Sequence, residues 1–228
     1  MSIIFFDLDG TLAPVGLPVP EAVADGMRCL EQNGHRVAVC SGKPLAYLCG
    51  MLRQIGLKQP LMAGENGAAV QFGVDLPPVQ HRVLPYPEEA KSVLALLRAR
   101  LEESFGESVW FQPNEHMLTC FPYSQELFDP IAELIASFGP EQVGLVVYRH
   151  GDCFDIIPEG TDKGAAVSEL CSMLGASPEQ CIAVGDHCND LPMFRTAGLA
   201  ISVGSYNPPE AQMHFQSIEK ALGYLLEL

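Results

Sequence analysis

Two aspartates separated by one residue, Asp7 and Asp9, close a short apolar run, Ile3-Ile4-Phe5-Phe6, and are followed by Gly10 and Thr11. Carboxylates so placed can serve as nucleophile, as general acid or base, or as ligands of a hard cation. Polar groups follow apolar runs at three more points. Ser41-Gly42-Lys43 comes after Arg36–Cys40, Glu65-Asn66 after Pro60–Gly64, and Asp186, Asn189 and Asp190 after Cys181-Ile182-Ala183-Val184. A further cation, Lys163, stands at a predicted helix start, where its charge opposes the helix dipole. That local disfavour hints at a use other than helix stability.

Brought together, these carboxylates would repel one another and would require positive charge. Hard oxygen ligands on loops suit Mg²⁺, which binds through few carboxylates and keeps several waters. A carboxylate held beside Mg²⁺ and a phosphate can attack phosphorus and form an aspartyl phosphate, and Asp7 is placed for that role. Asp9 lies two residues on, on the same side of an extended segment. Its carboxyl could protonate a leaving oxygen and later deprotonate water. Phosphoryl transfer depends on positioning and charge neutralisation. Lys163, Ser41 and the backbone N–H groups around Ser41-Gly42 would supply both.

The elements that must position these groups follow from the apolar pattern. Strand, helix, strand, helix, strand is the order from Ile3 to Gly64, with polar loops after each strand. That is the sequence form of a doubly wound, Rossmann-like parallel sheet. In such α/β sheets ligands bind at the carboxyl ends of the strands. The rhythm then changes. Ala69–Phe72 reads as a hairpin strand, Gly73–Pro87 as turn-rich, and Glu88–Phe105 and Gln125–Phe138 as helices. Ser108–Gln112, His116–Phe121, Val143–Arg149 and Cys153–Ile157 read as strands. Helix–strand–strand repeated twice predicts an inserted α+β domain over 82–158, within a core of 1–81 and 159–228. The α/β rhythm resumes at Gly160, where Thr161 or Asp162 can cap a helix running to Leu174. A strand at Cys181–Val184, a short helix, a last strand at Gly198–Val203 and a terminal helix complete it.

The chain has 228 residues, 48% hydrophobic and 18% charged, which fits an ordinary globular core. Its formal net charge of −15 argues against nucleic-acid binding and against docking on anionic lipid. No apolar stretch is long enough to span a bilayer, and Asp7 interrupts the N-terminal apolar run too early for a signal peptide. The eight cysteines form no C-x-x-C pair and read as small buried hydrophobes. A cytoplasmic protein, monomer or homodimer, is the expectation.

Asp7-Leu8-Asp9-Gly10-Thr11-Leu12 resembles the first motif of the haloacid dehalogenase superfamily. Ser41 resembles the second, Lys163 the third, and Gly185-Asp186-His187-Cys188-Asn189-Asp190 the fourth. Glu65-Asn66-Gly67-Ala68 is similar to a segment of the branch with a small α/β cap between the second and third motifs, type IIB, and equally reads as a plain hairpin turn. Phosphoglycolate phosphatases, sugar-phosphate phosphatases and Cof-like proteins belong to that branch. The resemblance implies Asp7 as nucleophile and metal ligand, and Asp9 as general acid/base with its backbone carbonyl on the metal. It implies Thr11, Ser41, Gly42, Lys163 and Asn189 around the phosphate. Asp186 would hold Mg²⁺, with Asp190 bound directly or through water. Lys43 stands where relatives often have arginine, which keeps the charge but loses bidentate geometry.

The function so implied is Mg²⁺-dependent hydrolysis of a small phosphorylated metabolite, a sugar phosphate or phosphoglycolate, as a phosphoric monoester hydrolase. A phosphomannomutase-like phosphotransferase is the alternative. A binding protein on a degenerate phosphatase fold is a third reading, against which the intact Asp7, Asp9, Lys163 and Asp186 count. Glu115-His116 and Arg149-His150, on predicted cap turns, are candidates to read the substrate. Trp110 is expected in the core.

Overall fold

The computed structural model describes residues 2–228, and the chain divides into two compact units, Met1–Val83 with Asp162–Leu228, and Leu84–Thr161. The first unit is built on an eight-stranded sheet. Its strands are β1 (Ile3–Asp7), β2 (Arg36–Cys40), β3 (Leu61–Gly64), β4 (Ala69–Phe72), β5 (Gln80–Val83), β10 (Ile182–Gly185), β11 (Leu199–Val203) and β12 (Met213–Phe215). Their order across the sheet is β12-β11-β10-β1-β2-β3-β4-β5. The six strands from β12 to β3 are parallel, whereas β4 and β5 run antiparallel at one edge.

The central strands are apolar throughout because both faces are covered. All five residues of β1 are buried. Helices α1 (Glu21–Gln32), α2 (Leu45–Ile55), α5 (Lys163–Leu174), α6 (Leu191–Thr196) and α7 (Ile218–Leu225) supply the cover. One core cluster joins Ile4, Phe6, Val37 and Val39 of the sheet to Val23 and Met27 of α1, Leu48 and Leu52 of α2, and Leu222 of α7. Asp162, not Thr161, caps α5: its carboxylate accepts from the Ala165 N–H at 2.8 Å, while the Thr161 hydroxyl donates to the Pro158 carbonyl at 2.6 Å.

Two strands differ from the sequence reading. Gln80–Val83, expected to be turn, pairs with β4, although every residue of it is exposed. Without a buried face it has no hydrophobic alternation for the sequence to display. The three residues of β12 extend the sheet beyond the strand expected to be last. Two of the cysteines, Cys29 and Cys188, are exposed rather than buried.

The second unit has an antiparallel sheet of β6 (Val109–Phe111), β7 (Leu118–Pro122), β8 (Leu145–Arg149) and β9 (Phe154–Pro158), in the order β6-β7-β9-β8. Helices α3 (Glu88–Phe105) and α4 (Phe128–Ser137) cover one face. Ala90, Leu94, Leu97 and Leu101 of α3 and Ile131 and Ile135 of α4 pack on Leu118, Cys120, Phe154 and Ile156. By alternation Trp110, Phe121, Thr119, Asp155 and Tyr148 belong to the other face. Trp110 is therefore not core: it is 47% exposed, its ring centroid 5.4 Å from that of Phe121.

Candidate active site

The strand order decides which loops meet. Strands β10, β1, β2 and β3 are successive parallel neighbours. Their carboxyl ends deliver Asp186 and Asp190, Asp7 and Asp9, Ser41 to Lys43, and Glu65-Asn66 to one edge of the sheet. Helix α5 starts there too, so Lys163 enters from a fifth segment.

Lys163 is the hub. Its ammonium, 2% exposed, donates to Asp7 Oδ1 and to Asp190 Oδ1, each at 2.6 Å. Burial alone would lower the lysine pKa, but the two carboxylates outweigh it and raise it, so the group stays charged. Asp190 is fully buried and uses its other oxygen as well: Oδ2 accepts the backbone N–H groups of Asp186 at 2.9 Å and His187 at 3.0 Å. Those bonds close the loop after β10 on itself. Asp190 thus acts as a strut between that loop and Lys163.

Asp7, Asp186 and Asp190 each offer an oxygen within 4.8 Å of the others. One cation is not enough for this set. Burial, with the Asp190 charge adding to it, pushes the Asp7 pKa up to about 7 despite Lys163. Asp186 is raised as well, by burial first, with the Thr11 hydrogen bond opposing. The donor set is all carboxylate oxygen and its charge is uncompensated, so the residues fit a hard divalent cation.

The remaining residues divide. Thr11 reaches the cluster, but its hydroxyl donates to Asp186 Oδ1 at 2.6 Å. Asp9 lies at the rim, 28% exposed at its side chain, with Oδ2 3.3 Å from Lys43 Nζ. Ser41 is buried, and its Oγ accepts the Lys43 backbone N–H at 3.2 Å, which leaves the hydroxyl proton available. The Gly42 backbone lies against Asn66, whose amide oxygen would stand 3.4 Å from a Cβ placed there. Asn189 is exposed on the short turn 188–190, at the outer side of the loop that Asp190 anchors.

Three residues or segments within the motifs have a role that the motifs do not disclose. Gly10, at φ +95°, sits so close to Asp186 that a Cβ would come within 2.2 Å of its carboxylate. At Gly185 a Cβ would come within 2.4 Å of Asp190 Oδ2. These backbones must be bare for the carboxylates to converge. The third is the Glu65-Asn66 segment, which is the turn of the β3–β4 hairpin, as one reading of the sequence had it, but not a plain one. Both residues have positive φ, 55° and 54°, in a single helical turn. Strain of this kind persists only where the surroundings over-determine it. Here the Glu65 N–H donates to the Lys43 carbonyl at 3.0 Å and the Asn66 N–H to the Ser41 carbonyl at 3.1 Å, so the strained turn splints the Ser41 loop.

The family model for haloacid dehalogenase-like hydrolases matches residues 4–118 and 107–213. A phosphoglycolate phosphatase of Metallosphaera sedula is 32% identical over 212 residues, spanning 91% of this chain and 87% of that protein. An HMP-PP phosphatase of Cronobacter sakazakii is 26% identical over 239 residues, 89% and 84% of the two chains. Among solved structures, a subclass IIB sugar phosphatase of the same superfamily superposes with a TM-score of 0.68 over 98% of both chains at 17% identity. The chain belongs to the haloacid dehalogenase-like hydrolases. It is an enzyme of that family, and its fold is similar to that of the subclass IIB structure over nearly the whole of both chains.

Proposed function

We propose that this enzyme is a Mg²⁺-dependent phosphatase that hydrolyses a small phosphorylated metabolite through a phosphorylated Asp7. The observation that supports it most is the Lys163 hub. A lysine with two buried carboxylates at 2.6 Å holds Asp7 in place while a third carboxylate lies within 4.8 Å. The relatives named as phosphatases of phosphoglycolate and of HMP-PP support the substrate class.

In this reading Asp7, Asp186, Asp190 and the Asp9 backbone carbonyl would hold Mg²⁺, Asp190 directly or through water. The ion would supply charge neutralisation for phosphate among carboxylates. Asp7 uses Oδ2, the oxygen not bonded to Lys163, to attack phosphorus, and the P–O bond to the leaving alcohol breaks. Asp9 gives its proton to that alcohol oxygen. It then takes a proton from water as the water attacks phosphorus, which frees phosphate and restores the Asp7 carboxylate. Lys163 and the Ser41 hydroxyl, with the Gly42 N–H, hold the phosphoryl oxygens. Asn189 lines the rim, and Thr11 acts through Asp186 by fixing its carboxylate.

The Leu84–Thr161 unit serves as the cap that selects the substrate. Its sheet has a face without helices where Trp110 and Tyr148 are half exposed, which gives groups to read a leaving alcohol. The test is phosphate release from p-nitrophenyl phosphate and from phosphoglycolate with Mg²⁺. Asp7→Asn should cut turnover by about 10³-fold or more. Equal rates for wild type and Asp7→Asn would end this reading.

A further inference from the structure

In a chain with a net charge of −15, a concentration of cations is informative. One lies at the opposite end of the sheet from the carboxylates. A cleft of about 460 Å³ is lined by Arg28, Glu31, His35, Arg36, Lys58 and Gln59, with neighbouring loop residues. Arg36 opens β2 and pairs in register with Ile3, whereas Cys40 closes it beside Asp7. Four residues at about 3.3 Å each separate the cleft from Asp7 by about 13 Å along the sheet. The cleft is no part of the carboxylate site.

Its polar groups are not equally occupied. Arg28 is committed: it bonds to Glu21 at 2.6 Å, to Asp25, and to the Ile55 carbonyl at 2.7 Å. The carboxylate of Glu31 is turned to the backbone, accepting the N–H groups of Lys58 at 3.0 Å and Gln59 at 2.9 Å. Among the described residues the Arg36 guanidinium has only the Gln59 amide oxygen at 2.7 Å and the Phe72 ring, 5.3 Å to its centroid. Among the described residues neither Arg36 nor Lys58 is ion-paired with a carboxylate. His35 also lines this wall, and its Nδ1, turned away from solvent, is the one buried side-chain nitrogen or oxygen among the described residues without a hydrogen-bond partner.

We propose that this cleft binds a small phosphorylated anion, with the phosphoryl group held by Arg36 and Lys58. A phosphoryl group brings nearly two negative charges and three acceptor oxygens, enough for a guanidinium and an ammonium at once. A carboxylate brings one charge and two oxygens. The cleft volume leaves room for an organic moiety behind the phosphoryl group. The binding site is independent of the catalytic reading, because it shares no residue with it.

The test is an amide NMR titration of the full chain with inorganic phosphate, at fixed ionic strength and without Mg²⁺. Saturating shifts are expected at the Gly34, Gly56 and Lys58 amides, with a Kd of about 1 mM or tighter. In the Arg36→Gln/Lys58→Gln protein the same amides should need at least about tenfold more phosphate. Any shift at Gly42, at the other end of the sheet, should be unchanged, and an undisturbed spectrum elsewhere shows the variant folded. The absence of saturable shifts at the cleft amides, or their survival in the double variant, would overturn the proposal. Water and Glu31 would then account for the cleft.

Discussion

In the first unit three buried charged side chains are drawn to one point, whereas in the second unit polar side chains form a line of hydrogen bonds laid across a sheet. Lys163, Asp7 and Asp190 meet within 2.6 Å contacts, and Asp186 adds a further carboxylate. In the Leu84–Thr161 unit, Gln112 donates to Asn114 Oδ1 at 2.8 Å and Asn114 to Thr119 Oγ1 at 2.9 Å. Thr119 donates in turn to Asp155 Oδ1 at 2.7 Å, and His150 Nε2 stands 3.4 Å from the other Asp155 oxygen. That line ends in its own counter-charge, since the Asp155 hydrogen bond raises the His150 pKa toward the imidazolium. The difference separates chemistry from architecture. A neutral line can be satisfied from within. A cluster with more carboxylates than cations is complete only with something bound.

The largest effect expected is from breaking the hub. Lys163→Met leaves Asp7 and Asp190 buried side by side without a cation. At pH 8 and without Mg²⁺ the loss should be about 3–5 kcal/mol in urea unfolding, accompanied by loss of phosphatase turnover. A loss under about 1 kcal/mol would mean that the cluster resembles the neutral line after all.

Next in size is the pH dependence of the same cluster. The Asp7 pKa is about 7 in the folded protein against an ordinary 3.8. Between these values the folded state holds a proton that the unfolded chain has released, so unfolding free energy falls as pH rises through that window. The contribution is fully favourable below about 3.8 and lost above about 7. The proposed Mg²⁺ would bind the deprotonated carboxylates, so its stabilising shift in Tm should be larger at pH 8 than at pH 5. Equal shifts at both pH values would remove Asp7 from the metal set.

The same contrast explains what the sequence could disclose. Asp7, Ser41 and Asp186 follow buried apolar strands, and in a parallel sheet strand ends converge whatever the intervening chain does. Their position at one edge was therefore legible from local pattern. Their partners were not. That Thr11 binds Asp186, and that Asp190 braces the loop after β10, depends on turns whose geometry is set by the bare backbones of Gly10 and Gly185. The polar line of the second unit was less legible still. Thr119 meets Asp155 only through the β7–β9 register, and register between distant strands leaves no mark in either strand alone. Trp110 was misplaced for the same reason: a short strand with one open face carries too little alternation to show which face an aromatic takes.

A smaller effect should come from the second unit. Thr119→Val keeps the shape but strips the hydroxyl, so Asn114 loses an acceptor and Asp155 a donor. The cost should be about 1–3 kcal/mol of stability, with p-nitrophenyl phosphate turnover within about twofold of wild type, because no reacting atom is touched. A collapse in kcat with stability intact would make this line catalytic rather than architectural.

The smallest effect concerns the edge of the first unit. Arg82 of β5 reaches Glu169 of α5 at 2.6 Å, and the arginine side chain is 48% exposed. Both groups are hydrated in the unfolded chain and partly so in the folded one, so solvent screening limits the pair. A double-mutant cycle with Arg82→Ala and Glu169→Ala should give a coupling of about 0.2–1 kcal/mol. The hub would lose several times that from one substitution at a similar distance, 2.6 Å. Identical separations with unequal couplings would show that burial, not proximity, sets the value of a charge pair in this chain. A coupling at Arg82 as large as the loss at Lys163 would erase that distinction.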